Sequence, residues 1–208
     1  MYELGPPFGG TSVPPGTNIL LSGPPLAGKR RPAMETLAVG ARRGEGTIIV
    51  STRDSAARMR EAVAPLVEEG TAVAVVDAVT QHIGRSTDAD ATKYASSPRD
   101  MSDIGVKFSE FVQSLYTEQQ REHNRVVVDS LTTLLLYSNL RTVFRFLHVF
   151  TSRVESVDGL GLYTVESTAH DAETLSTLDR LFDATMAVEA DGTATLTLPD
   201  GDTMTATL

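Results

Sequence analysis

Between Asn18 and Arg43 the chain passes directly from a mostly apolar run, NILLS, through the loop GPPLAGKR into a helical pattern. This junction constrains the fold more than any other part of the sequence. Gly23-Pro24-Pro25-Leu26-Ala27-Gly28-Lys29-Arg30 matches G-x-x-x-x-G-K and departs at the last position, where a phosphate-binding loop wants Ser or Thr. Glycines let the backbone amides curl around phosphate oxygens, and the following helix adds its positive N-terminus. Lys29 would reach the outer phosphates. In a chain with 16 glycines the motif alone is a modest signal, but its position between strand and helix is what the mechanism demands.

The rest of the chain repeats the strand-then-helix alternation of parallel βαβ units. Residues 1–17 are rich in Gly and Pro and read as an irregular lead-in. Strands are expected at Asn18–Ser22, Thr47–Thr52, Thr71–Ala78, Arg125–Ser130 and Gly161–Ser167. Helices are expected at Pro32–Arg43, Ser55–Glu69 (capped by Asp54 or Ser55 and kinked at Pro65), Ser102–Gln120, Asn139–Val157 and Ala172–Phe182. Residues 79–100 are polar and aperiodic apart from a short strand at Lys93–Ser97, and a connection that long is either mobile or functional. From Thr185 onward, period-two alternation broken by Asp191-Gly192 and Pro199-Asp200-Gly201 predicts an antiparallel three-strand meander. Without an internal repeat or linker, residues 1–208 read as a single α/β domain: a mostly parallel twisted sheet, helices on both faces, and the meander.

Charge narrows the partners. The 18 basic residues are 15 Arg and only Lys29, Lys93 and Lys107, against 27 acids, for a net charge of -9. Acid excess with little lysine resembles proteins of salt-loving archaea: carboxylates hold hydrated cations while concentrated salt screens their repulsion. The melting midpoint should therefore rise between low and multimolar KCl, and an unchanged midpoint would sink that reading. An acidic chain lacks the clustered Lys and Arg of a nucleic-acid binder, so nucleic acid is not an expected partner. The chain has no cysteine, hence no disulfide or thiolate chemistry. Apolar runs far shorter than the ~20 residues of a membrane span, and an N-terminus without a secretory pattern, give a cytoplasmic expectation with no membrane contact.

A second chemical element is Asp129, at the end of the apolar strand RVVVDS, where an acidic residue helps hold Mg²⁺ in phosphate-loop nucleotidases. Together, PPGTNILLSGPPLAGKR and RVVVDSLTTLLLYS resemble the RecA-like ATPases of the KaiC type, whose members read ILISGPPGTGKT and later VVIDSLT. The likeness extends over most of the chain and is greatest to short, single-domain KaiC-like proteins of haloarchaea. It implies a RecA/KaiC-like fold, ATP or ADP on residues 23–30 with Asp129, and Asp129 as a metal ligand. It also implies a possible homo-oligomer, since such domains complete their sites at subunit boundaries, with residues 79–100 and the Arg141 helix as contact surfaces.

The departures from that pattern carry as much meaning. Arg30 stands where the family's hydroxyl binds Mg²⁺, and a guanidinium cannot coordinate a cation, so Mg²⁺ is not expected to bind in the usual way. The family's glutamate pair after the second strand is replaced by Arg53 and the shorter Asp54. Hydrolysis that relies on metal and a positioned water should fall by orders of magnitude. Asp54 and Glu166 are the remaining candidates for a catalytic base, and Glu166, Ser167 and His170 form a candidate polar sensor. His148 is expected to be a packed helix residue. His82 and His123 are isolated, and Arg141, Arg145 and Arg153 read as a solvated or salt-bridged helix face. Three functions remain open: a nucleotide-binding regulator or scaffold with little hydrolysis, a slow ATPase, and a nucleotide-free module for an unknown protein partner.

Overall fold

The computed structural model describes residues 1–85 and 90–208. In chain order its elements are β1 (Tyr2–Glu3), β2 (Ser12–Val13), β3 (Asn18–Gly23), α1 (Arg30–Arg42), β4 (Gly46–Ser51), α2 (Ala56–Val63), β5 (Ala74–Asp77) and β6 (Thr92–Tyr94). There follow α3 (Met101–Thr117), β7 (Asn124–Asp129), α4 (Leu131–Tyr137), α5 (Leu140–Ser156), β8 (Leu160–Glu166), α6 (Ala172–Asp179), β9 (Ala184–Val188), β10 (Thr193–Thr197) and β11 (Thr203–Thr207).

The apolar runs pair because strands buried on both faces need parallel neighbours covered by crossover helices. They form a nine-stranded sheet of order β11-β10-β9-β3-β8-β7-β4-β5-β6. Every pair from β9 to β6 is parallel, and β10 and β11 add antiparallel strands as the meander. Alternating side chains split the core into two layers. Ile19, Leu21, Ile49 and Val127 face α1, α2 and the N-terminal segment, whereas Leu20, Ile48, Val50 and Val126 face α3, α4, α5 and α6. Parallel pairing brings the C-terminal ends of β3, β4, β7 and β8 to one edge of the sheet, with Gly23 beside Glu166 and Ser51 beside Asp129.

Several expectations change. The lead-in is irregular apart from a two-residue ladder in which β1 and β2 pair antiparallel, and it is not loose: Tyr2, Leu4 and Val13 are buried in the core. Arg125 anchors this segment from within the core. Its Nη1 donates to Glu3 O (2.6 Å) and Thr36 O (2.9 Å), its Nε pairs with Glu45 (2.6 Å), and its guanidinium stacks 5.2 Å from the Tyr2 ring centre. The helix expected to reach Glu69 ends at Val63, and Ala64–Leu66 form one 3₁₀ turn where Pro65 supplies no amide. A short helix, α4, was not anticipated; Ser130 caps it, its side chain accepting from Thr132 N (3.2 Å). His148 is exposed rather than packed, because Leu147, Phe150 and Val154 take the inner face of α5. Of the proposed contact segment 79–100, residues 86–89 lie outside the described residues.

Candidate functional site

Ser55, Asp100, Ser130, Asn139 and Asp171 each cap the helix they precede, whereas Lys29, which precedes α1, gives it no side-chain cap. Its first amides therefore have no side-chain acceptor. The loop before it turns through the left-handed region twice, at Leu26 (φ 63°) and Gly28 (φ 89°). Leu26 stands fully exposed at the tip. At Gly23 a Cβ would lie 2.6 Å from the Val188 carbonyl, so the strand-to-loop transition has room only for glycine. Leu208 at the end of the chain packs its side chain against Gly28. Pro25 is exposed and Ala27 buried, which gives the loop an inner anchor and an outer rim.

Lys29 is 8% exposed, and its Nζ donates to Pro24 O at 3.0 Å, closing the loop on itself. Burial pushes its pKa below the usual lysine range; Glu166 opposes the shift, Arg53 adds to it, and Asp129 opposes it again. The ammonium is thus kept among charges of both signs at the loop mouth.

Arg30 does not extend toward the loop mouth. Its Nη1 donates to Asp54 Oδ2 (2.9 Å) and its Nε lies 3.0 Å from Asp129 Oδ2, an ion pair whose angle falls short of a hydrogen bond. The same guanidinium touches the Met59 sulfur. Asp129 is buried, and its other oxygen accepts from Thr164 Oγ1 at 2.6 Å. Asp54 is also approached by Arg58 (3.7 Å), while its backbone amide donates to Ser51 Oγ (3.2 Å). One cation therefore joins the two carboxylates expected to serve metal and water. The residues do not fit an ordinary Mg²⁺ site, because the position between Asp54 and Asp129 already holds a positive group that cannot be a ligand.

Glu166 faces Arg53, whose Nη1 lies 3.4 Å from Oε1. Its backbone amide donates to Thr132 Oγ1 (2.8 Å), and His170 Nε2 sits 3.2 Å from that hydroxyl. Of the three sensor candidates, Glu166 and His170 meet through Thr132, and Ser167 opens the neighbouring 3₁₀ turn. Thr52 braces the opposite side, its hydroxyl donating to Ser130 O (2.8 Å) and accepting from Ser130 N (2.9 Å).

Sequence reading passed over Thr52, Met59, Thr132 and Thr164. The one available signal was Thr164, a hydroxyl inside the apolar run GLYTV. The other candidates lie apart: His82 packs edge-on to Tyr137, His123 against Tyr2, and Arg153 donates to Ser109 on α3. A groove of about 910 Å³ between α3 and α5 is lined by apolar side chains such as Val106, Phe146 and Val149 and by polar ones such as Glu110, Arg145 and Arg153. The phosphate-type loop, Lys29, Asp54, Asp129 and Glu166 are absent from its lining.

Residues 16–188, most of the chain, match one protein family. The chain belongs to DUF7504, a family of unknown function. No protein of curated function matches the sequence. Among solved structures, this DUF7504 chain is similar to a KaiC-like protein from the hyperthermophilic archaeon Pyrococcus horikoshii OT3, with 17% identity and a TM-score of 0.64. The match covers 89% of the DUF7504 chain and 80% of the other. At that identity the likeness establishes the fold, RecA-like of the KaiC type, as the sequence motifs anticipated.

Proposed function

We infer that the chain is a nucleotide-binding protein that takes ATP or ADP on residues 23–30 without Mg²⁺, hydrolyses little or none of it, and acts as a regulator or scaffold. The observation that carries this reading is the Arg30 bridge between Asp54 and Asp129. A polyphosphate beside Asp129 needs a cation between the two anions. Arg30 supplies one permanently, while the loop backbone and Lys29 remain to hold phosphate oxygens. The same bridge argues against turnover. Asp54 is engaged by Arg30 and Arg58, so it is not free to orient water.

A nucleotide-free interaction module is the second reading. It is favoured by the internal partners that Lys29, Arg30 and Arg53 already have in Pro24, the two aspartates and Glu166. No helix among the described residues is long and apolar enough to cross a membrane. We place the protein in the cytoplasm, with assembly into homo-oligomers and a protein partner as proposals that rest on the fold.

Calorimetry with ATP and ADP in molar KCl, with and without Mg²⁺, tests the reading. Binding should be nearly indifferent to Mg²⁺, and Lys29→Ala should weaken it beyond detection. Brisk Mg²⁺-dependent phosphate release would establish an ATPase instead, and absence of binding would leave the interaction module. Light scattering of the same samples reads the assembly, and a strict monomer with and without ATP removes the oligomer.

A further inference from the structure

Arg53 stands where the KaiC type has an acidic residue, and its guanidinium leans across the loop edge to Glu166. The Glu166 backbone is held firmly: it ends β8 in register with Gly23, the first loop residue, and its amide is tied to Thr132. Arg53 is held only at its base. The next residue, Asp54, is fixed by Ser51 and Arg30, while the Arg53 side chain is half exposed and its contact with Glu166 is long, at 3.4 Å. Lys29, inside the loop, feels both groups as well as Asp129. The mouth of the loop thus holds a buried ammonium beside a long ion pair whose backbones are anchored on both sides.

The geometry points to Arg53 as the group that recognises the terminal phosphate of a polyphosphate chain, with Glu166 as the internal anion that this phosphate displaces. This inference rests on the nucleotide reading above and adds a specificity to it: a triphosphate is preferred to a diphosphate. Lys29 and the loop amides serve the phosphates that both ligands share. Arg53, rooted in the segment after β4 beside Glu166, is assigned to the further phosphate. A guanidinium exchanges a single long carboxylate contact for charge-assisted bonds to phosphate, a favourable exchange when the new partner carries more charge. Glu166 meanwhile repels any incoming anion, so the empty site favours its own ion pair until a chain long enough to capture Arg53 arrives. No bond is broken; the ligand changes only which anion Arg53 serves.

Inorganic tripolyphosphate and pyrophosphate test this without contribution from a base. They would be titrated by calorimetry at the lowest KCl that keeps the protein folded, alongside ATP and ADP. The unmodified chain should favour tripolyphosphate. Arg53→Ala should weaken tripolyphosphate about tenfold, the loss expected for one charge-assisted contact, and pyrophosphate by less than about twofold. Glu166→Gln, which keeps shape and removes the competing charge, should tighten tripolyphosphate several-fold. That gain should vanish in the double variant, because the two residues act on one contact. Equal losses for both polyphosphates in Arg53→Ala, or no gain in Glu166→Gln, would overturn the inference and leave nucleotide binding intact. Failure of ATP and of both polyphosphates to bind the unmodified chain would overturn the nucleotide reading, and this inference with it.

Discussion

Arg125→Ala should destabilise the folded chain by about 3–5 kcal/mol, the range seen when one member of a buried ion pair is removed. Arg125 is fully buried at the start of β7, and every polar group that it serves is left behind by the substitution. Glu45 would lose both oxygens' partner, the Glu3 and Thr36 carbonyls would lose a shared donor, and the Tyr2 ring its stacked cation. The damage should not stay local. Thr36 lies in α1, the helix that follows the phosphate-type loop, and its side chain also accepts from Gly5 N at 2.9 Å. Arg125 therefore ties the N-terminal hairpin, α1 and β7 together. Gly40 completes the arrangement, since a Cβ there would sit 2.6 Å from the arginine's Cδ. Thermal melts should show a midpoint lowered by roughly 10 °C for a chain of this size. Arg125→Met combined with Glu45→Leu should recover much of the loss, because no charge is then stranded. A single variant that melts within a degree or two of the original would show that the buried pair contributes little.

The contrast between Arg125 and the phosphate loop explains what the sequence can disclose. The loop is a local feature: strand, glycines, lysine and helix occupy neighbouring positions, so their spacing alone implies the geometry. Asp129 is similar, since an acid that ends an apolar run must emerge at the sheet edge, where parallel pairing collects strand ends. The two-layer fold followed from the same alternation, with helix ends differing mainly where Pro65 intervenes. Arg125 has partners at positions 3, 36 and 45, and nothing near it in sequence marks it as buried. The hairpin that it anchors was missed for that reason: two-residue strands leave no periodicity to read. The direction of Arg30 was equally hidden. Its identity shows that a hydroxyl is missing, whereas its bridge to Asp54 depends on how β4 and β7 lie beside each other.

That bridge yields the second large effect, on metal rather than on stability alone. Arg30→Thr removes the cation shared by Asp54 and Asp129 and places a hydroxyl near the buried carboxylate. The metal-free variant should lose about 1–3 kcal/mol, because two neighbouring carboxylates then face each other without their common partner. Millimolar Mg²⁺ should restore much of this by binding only the folded state, as any such ligand does. The original protein should melt at the same temperature with or without Mg²⁺, since Arg30 already occupies the place. Nucleotide binding follows the same logic: indifferent to Mg²⁺ in the original, dependent on it in Arg30→Thr. If the variant's melting and binding are both indifferent to Mg²⁺, the guanidinium is not standing in for a metal. Adding Arg53→Glu to Arg30→Thr replaces the second altered device and should permit slow phosphate release, with a carboxylate again available to orient water. Metal response from the first substitution without hydrolysis from the second would place the remaining obstacle at Asp54, where Arg58 persists as a partner when Arg30 is gone.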